Sequence, residues 1–221
     1  MEYVFLPTFF LNVLAIFTQT KAVMKKEILI FLILCSISSI VAAQTETVYP
    51  EGLKVGDAAP MFTAKDQDGK TVNLKQVLKS GPVVMLFYRG QWCPYCNKQL
   101  NYFSDSLQML IAKGVSILAI TPETGDNVKK TVEKAKATFP VLADEGMAIM
   151  KMYKVNFTVD ENTIAKYKGY GIDFDKANGG NGANLPVPAT YIIGKDGIVK
   201  YVFFNKDYRK RASVQDILNN L

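Results

Sequence analysis

The sequence predicts an α/β fold: a mixed β-sheet with helices on both faces, preceded by an N-terminal β-hairpin. The continuous apolar run "VVMLFY" (83–88), rich in β formers, and the largely apolar "VSILAI" (115–120) have the composition of buried strands. A segment of helical character follows each of them. Near the end, "TYIIG" and "IVKYVFF" flank "KDG", the pattern of a hairpin. Strand, helix, strand, helix, hairpin and closing helix describe a mixed sheet covered on both sides.

Taken in order, "APMFTAKDQDGKTVNL" reads as two short strands around the turn "DQDG". Asn73 with Gln76 resembles a capping box that opens a short helix through Lys79, and Gly81 and Pro82 punctuate the chain before the first buried strand. Leu100, Phe103, Leu107, Leu110 and Ile111 then recur at helical spacing up to Gly114. "GDNVKKTVEKAKATF" is the next helix, "PVLAD" a short strand and "GMAIMKMYKV" another helix. "SVQDILNNL" closes the chain as a helix, with Ser213 and Asp216 placed as its cap. The segment between Asn156 and Pro186 has five glycines between Lys168 and Ala183 and no clear periodicity, so it is expected to be a loop bordering the active site.

With 221 residues and 49% hydrophobic content, the chain suffices for one domain plus a leader. Two apolar runs occupy the first fifty residues, each shorter than the roughly 20 residues of a spanning helix. The second follows Met24 and a basic start at Lys25 and Lys26, and ends in Val41, Ala42 and Ala43. That order reads as a secretory signal within a 1–43 leader, with Met24 as the start and residues 44–221 as the mature domain. An exported, periplasmic protein is expected, or a membrane-anchored one if the leader is retained. Removing residues 1–43 takes three of 26 basic and two of 20 acidic residues, which leaves a net charge of +5. The charges are scattered, "DYRKR" (207–211) being the densest basic cluster, so nucleic-acid binding is not expected.

The chemistry is concentrated in "FYRGQWCPYCNKQL" (87–100). The chain has three cysteines, Cys35, Cys93 and Cys96, and no histidine, so no metal and no cofactor is expected and Cys-His nucleophilic catalysis is excluded. Cys93 stands where the buried strand ends and a long helix begins, where unpaired N–H groups and the positive end of the helix dipole favour thiolate. Pro94 suits the first turn of that helix. Cys96 follows one turn later on the face of Leu100, Phe103 and Leu107, and is expected to point inward. An outer nucleophile and an inner partner of higher pKa form an exchange pair. Trp92 and Tyr95 are expected to shield the surface around it.

The chain resembles the alkyl hydroperoxide reductase/thiol-specific antioxidant, or peroxiredoxin-like, family of thioredoxin-fold proteins. The resemblance runs from "GLKVGDAAPMFTAKDQDGKTVNL" through "VVMLFYRGQWCPYC" and "FPVLADEGMAIMKMYKV" to "LPVPATYIIGKDGIVKYVFFNKDYRKR". It implies a thioredoxin-like sheet, Cys93 as the attacking cysteine, Cys96 as the resolving one, and Pro188 as a cis-proline beside them that leaves a backbone edge open for docking. It also implies a peroxide substrate and a thioredoxin-like or membrane electron donor. The family's threonine or serine, proline and later arginine correspond here to Gly90, Leu86 and Pro188, and the thioredoxin buried aspartate to Phe87. Arg89 is the expected substitute for the missing positive charge. Three functions stay open on the sequence: a thiol-dependent peroxidase, a thioredoxin-like reductase of protein disulfides, and a non-catalytic module that binds thiol partners.

Overall fold

The computed structural model describes residues 47–221. The expected leader, the Met24 start and Cys35 lie outside the described residues. Two short strands, β1 (Thr63–Lys65) and β2 (Thr71–Asn73), form the expected antiparallel hairpin. Helix α1 (Leu74–Ser80) follows, with the Asn73 side chain accepting the backbone N–H of Gln76 at 3.1 Å.

The main sheet has five strands, in the spatial order 141–143, 116–121, 83–87, 189–193 and 199–204. Its centre is β3 (Val83–Phe87), parallel to β4 (Ser116–Thr121) and antiparallel to β8 (Ala189–Ile193). β5 (Val141–Ala143) and β9 (Val199–Phe204) lie at the edges. Every residue of β3 is buried, because alternate side chains enter two different cores. Val83, Met85 and Phe87 pack with Leu74 and Leu78 of α1 and with Ile149 and Met150 of α5 (Ala148–Met152). Val84 and Leu86 face the other side, which is covered by α2 (Pro94–Asp105), α3 (Leu107–Ala112), α4 (Gly125–Ala135) and α8 (Val214–Leu218). Each fully buried Leu, Phe or Val there contributes about 1.5–3 kcal/mol.

The long helix expected up to Gly114 is broken at Ser106 into α2 and α3, and Ile111 is half exposed rather than part of the core face. The closing helix carries the expected capping box, with Asp216 and Ser213 bonded reciprocally.

The segment between Asn156 and Pro186 is not the loop that was expected. It folds as β6 (Asn156–Thr158), α6 (Glu161–Gly169), α7 (Phe174–Asn178) and β7 (Asn184–Pro186), with β6 and β7 paired antiparallel. No residue of α6 is buried, which is why it has no apolar stripe to read. A small core of Val159, Phe174 and Leu185 holds the segment, and Trp92 and Tyr167 pack against it.

Candidate active site

Strand β3 delivers the chain to a turn beneath which the buried Glu123 is seated, just beyond β4. One oxygen of Glu123 accepts the backbone N–H of Gln91 at 2.7 Å, and the other accepts the hydroxyl of Thr131 on α4 at 3.1 Å. Burial raises its pKa to about 7. Gly90 has a φ of +154°, and a Cβ there would stand 2.6 Å from Trp92 Nε1 and 2.9 Å from Glu123 Oε1. Only glycine fits this point.

Cys93 is the N-cap of α2 and Pro94 opens the helix, as the motif predicts. The Cys93 sulfur accepts the backbone N–H of Cys96 at 3.4 Å. Both thiols are free. Hydrogen bonding from the Cys96 side chain is the largest influence on Cys93; together with the charges of Arg89 and Arg211, and against the opposing effect of burial, it lowers the Cys93 pKa to about 6. Burial first, then the hydrogen bond and charge of Cys93, push Cys96 well above the usual thiol value. The two thiols thus have the expected asymmetry of charge. They do not have the expected asymmetry of depth, because Cys93 is 1% exposed and Cys96 0%. The segment after β9 returns over the pair and closes it in.

That segment carries Arg211, which the sequence reading did not single out. Its Nη2 donates to Cys96 Sγ at 3.2 Å and lies 3.9 Å from Cys93 Sγ. Its Nε and Nη1 are buried and have no hydrogen-bond partner among the described residues. The one hint in the sequence was the basic density of "DYRKR".

Arg89 is 4% exposed. Its Nη2 donates to the Tyr167 hydroxyl, and its guanidinium carbon stands 4.9 Å from the Trp92 ring centre, 5.3 Å from Tyr167 and 4.2 Å from Tyr208. None of the ion pairs among the described residues includes Arg89 or Arg211. Two guanidinium groups without carboxylate partners therefore border one dithiol, and that environment favours an anion.

Trp92 is half-buried and packs edge-on against Tyr167 at 5.4 Å and Phe174 at 5.8 Å, so it ties the 156–186 segment to the turn. Tyr95 is 40% exposed and meets Tyr208 edge-on at 5.9 Å.

Pro188 departs from expectation. There is no cis peptide bond among the described residues, so the Val187–Pro188 bond is trans. The backbone edge on either side of it is already occupied: Val187 N–H donates to the Val155 carbonyl at 2.7 Å, and the Pro188 carbonyl accepts Asn205 N–H at 3.3 Å. A strand docked there would find the Val187 N–H and the Pro188 carbonyl already bonded. Pro188 instead lines, with Arg89 and Tyr208, a cavity of about 120 Å³. Among the described residues no group of three or more His, Cys, Asp or Glu is arranged to hold a metal ion.

The AhpC/TSA family profile matches residues 55–202. Peroxiredoxin Q, chloroplastic, of Oryza sativa subsp. japonica is 32% identical over 151 residues, covering 68% of this chain and 59% of that protein. The chain thus spans less than two thirds of the length of that relative. Thiol-disulfide oxidoreductase ResA of Bacillus thuringiensis subsp. konkukian (strain 97-27) is 30% identical over 174 residues, covering 78% of this chain and 83% of that protein. Among solved structures, peroxidoxin BcpB from Mycobacterium tuberculosis superposes with a TM-score of 0.56 at 23% identity, over 69% of this chain and 86% of that one. A mutant form of the peroxiredoxin 6 of Arenicola marina gives 0.57 at 18% identity, over 76% and 71%. The fold is thus the thioredoxin-like one, and by the extent of the profile match the chain belongs to the AhpC/TSA family.

Proposed function

We propose that this protein is a thiol-dependent peroxidase that reduces hydrogen peroxide or alkyl hydroperoxides at the Cys93/Cys96 dithiol. The observation that carries the reading is Arg211, whose guanidinium spans both sulfurs and keeps two donors unused. It supplies, from a different place in the chain, the later arginine that the motif positions lack. In the reaction the Cys93 thiolate attacks one peroxide oxygen and the O–O bond breaks. The other oxygen leaves with its electron pair, takes up a proton and departs as water or alcohol. Arg211 donors stabilise the charge developing on that oxygen. Cys93 is then a sulfenic acid. The Cys96 sulfur attacks it, gives up its proton and expels water, leaving a Cys93–Cys96 disulfide. A dithiol protein reduces that disulfide and is itself oxidised. Because Cys93 is 1% exposed, the side chains over it must shift for the peroxide to enter. Peroxide consumption coupled to a thioredoxin-like reductant, lost in Cys93→Ser, tests the reading.

A second reading, reduction of protein disulfides, is favoured by the likeness to ResA, which extends over 83% of that protein. The same low-pKa Cys93 and high-pKa Cys96 suit it. We also propose export to the periplasm, on the basic start and small-residue end of residues 24–43. A protein recovered from the cell envelope with residues 28–43 retained would contradict cleavage and leave a membrane-anchored protein, and recovery from the cytoplasm would contradict export.

A further inference from the structure

Alongside α2 the structure has a cavity of about 510 Å³ that hydrogen peroxide does not explain. Tyr95, Lys98, Tyr102 and Phe103 of the helix form one wall, and Arg209 and Arg211 belong to the other. It extends along the helix from Tyr95 to Ser106, a length of about 17 Å at ~1.5 Å per residue. Tyr95 is 40% exposed and Tyr102 54% exposed, while Phe103 is buried, so the walls offer aromatic surface over an apolar floor. Three cations line it and no carboxylate does. Asp207 grips Arg209 from outside the cavity with bonds of 2.8 and 3.0 Å, fixing its direction at the rim. At the inner end Arg211 touches both the cavity and the two sulfurs.

We propose that this groove docks an acidic, extended segment, carrying aromatic or aliphatic side chains, of the dithiol protein that reduces the Cys93–Cys96 disulfide. The inference rests on the reading of Cys93 and Cys96 as the redox centre. Charge complementarity selects an acidic partner. The length suits about five residues of extended chain at ~3.3 Å each. Exposed tyrosines beside arginine are the residue types that anchor protein interfaces. The partner's two thiols become its disulfide as the Cys93–Cys96 disulfide becomes the dithiol, with Arg211 drawn aside by a carboxylate of the docked segment so that the incoming sulfur can reach the pair.

Two measurements test this. In the first, fluorescein-labelled five-residue peptides without cysteine, one rich in Glu and Tyr and the other with Lys replacing Glu, are titrated with the protein and followed by anisotropy. The acidic peptide is expected to bind at least about tenfold more tightly at low salt, and the double variant Lys98→Glu/Arg209→Glu to reverse the order. Equal binding of the two peptides, an order unchanged in the variant, or displacement of the acidic peptide by dodecanoate with no charge preference between the peptides would overturn the proposal. In the second, the oxidised protein is reduced by neutral dithiothreitol or by an acidic peptide carrying two cysteines, with Trp92 fluorescence as the signal. The variant should keep its dithiothreitol rate and lose about tenfold with the peptide. Equal loss with both reductants would contradict a docking role. Peptide selectivity without any peroxide turnover would leave the groove standing and remove the peroxidase reading, and the converse result would do the opposite.

Discussion

Arg211 lies across 118 residues of sequence from Cys93, and its Nη2 is 3.9 Å from the Cys93 sulfur and 3.2 Å from that of Cys96. A charged donor at that place lowers the energy of a thiolate and of an oxyanion formed next to it. Arg211→Met should therefore reduce peroxide turnover by about 10²–10³, the usual effect of one preorganised donor. Arg211→Lys should recover only part of it, since the ammonium cannot reach two sulfurs and a third atom in one plane. Stopped-flow oxidation of the reduced protein reads both.

The Arg89 guanidinium acts on Cys93 through charge alone, its own hydrogen bond going to the Tyr167 hydroxyl. Arg89→Met should raise the Cys93 pKa above its value of about 6, and working at pH 9 should restore most of the lost rate. The same high pH should not rescue Arg211→Met. Because Arg89 is a buried cation without a carboxylate partner, the substitution should leave stability within about 1–2 kcal/mol of the parent. Rate–pH profiles and urea unfolding of the two variants check the contrast.

Gly90→Ala should unfold more readily, by about 1–3 kcal/mol, since its Cβ would press on Trp92 Nε1 and Glu123 Oε1 in a backbone region alanine rarely adopts. A shift in Trp92 fluorescence should accompany the loss. An unchanged urea midpoint would show that the turn is not fixed by this contact.

Glu123 gives a pH dependence of stability. Its pKa rises from 4.5 to about 7 on folding, so the folded state holds the proton more tightly than the unfolded one. Stability is then fully present below 4.5 and lost as pH climbs through 7, by about 3 kcal/mol. Cys93 works in the opposite direction: its depressed pKa adds stability above about 9 that is lost as pH falls through 6. Glu123→Gln should remove only the first effect. Urea unfolding at pH 5 and pH 8 should show the parent losing about 3 kcal/mol relative to the variant between the two.

The strands of the main sheet were legible because each is either a continuous apolar run, like Val83–Phe87, or half of a hairpin with a turn signal. The position of Cys93 at a helix start was legible from Pro94 and the strand before it. Helix α6 was not, since none of its residues is buried and a helix held by its ends and by Tyr167 leaves no apolar period. Arg211 was not legible either, because nothing local marks an arginine that acts through a return of the chain over the active site. The same return explains why Cys93 is buried, although an N-cap side chain by itself would be open to solvent. At Pro188 the resemblance misled: the neighbouring carbonyl and N–H are used within the fold, and the peptide bond is trans.

In the proposed reaction the Cys93 thiolate attacks peroxide and Cys96 resolves the product. Cys96→Ser, reduced and treated with one equivalent of hydrogen peroxide at pH 7, should gain one oxygen, and a dimedone adduct should map to Cys93. Peroxide left unconsumed with Cys93 unmodified, while the same variant traps a mixed disulfide with a protein disulfide substrate, would contradict the peroxidase and leave the disulfide reductase in its place.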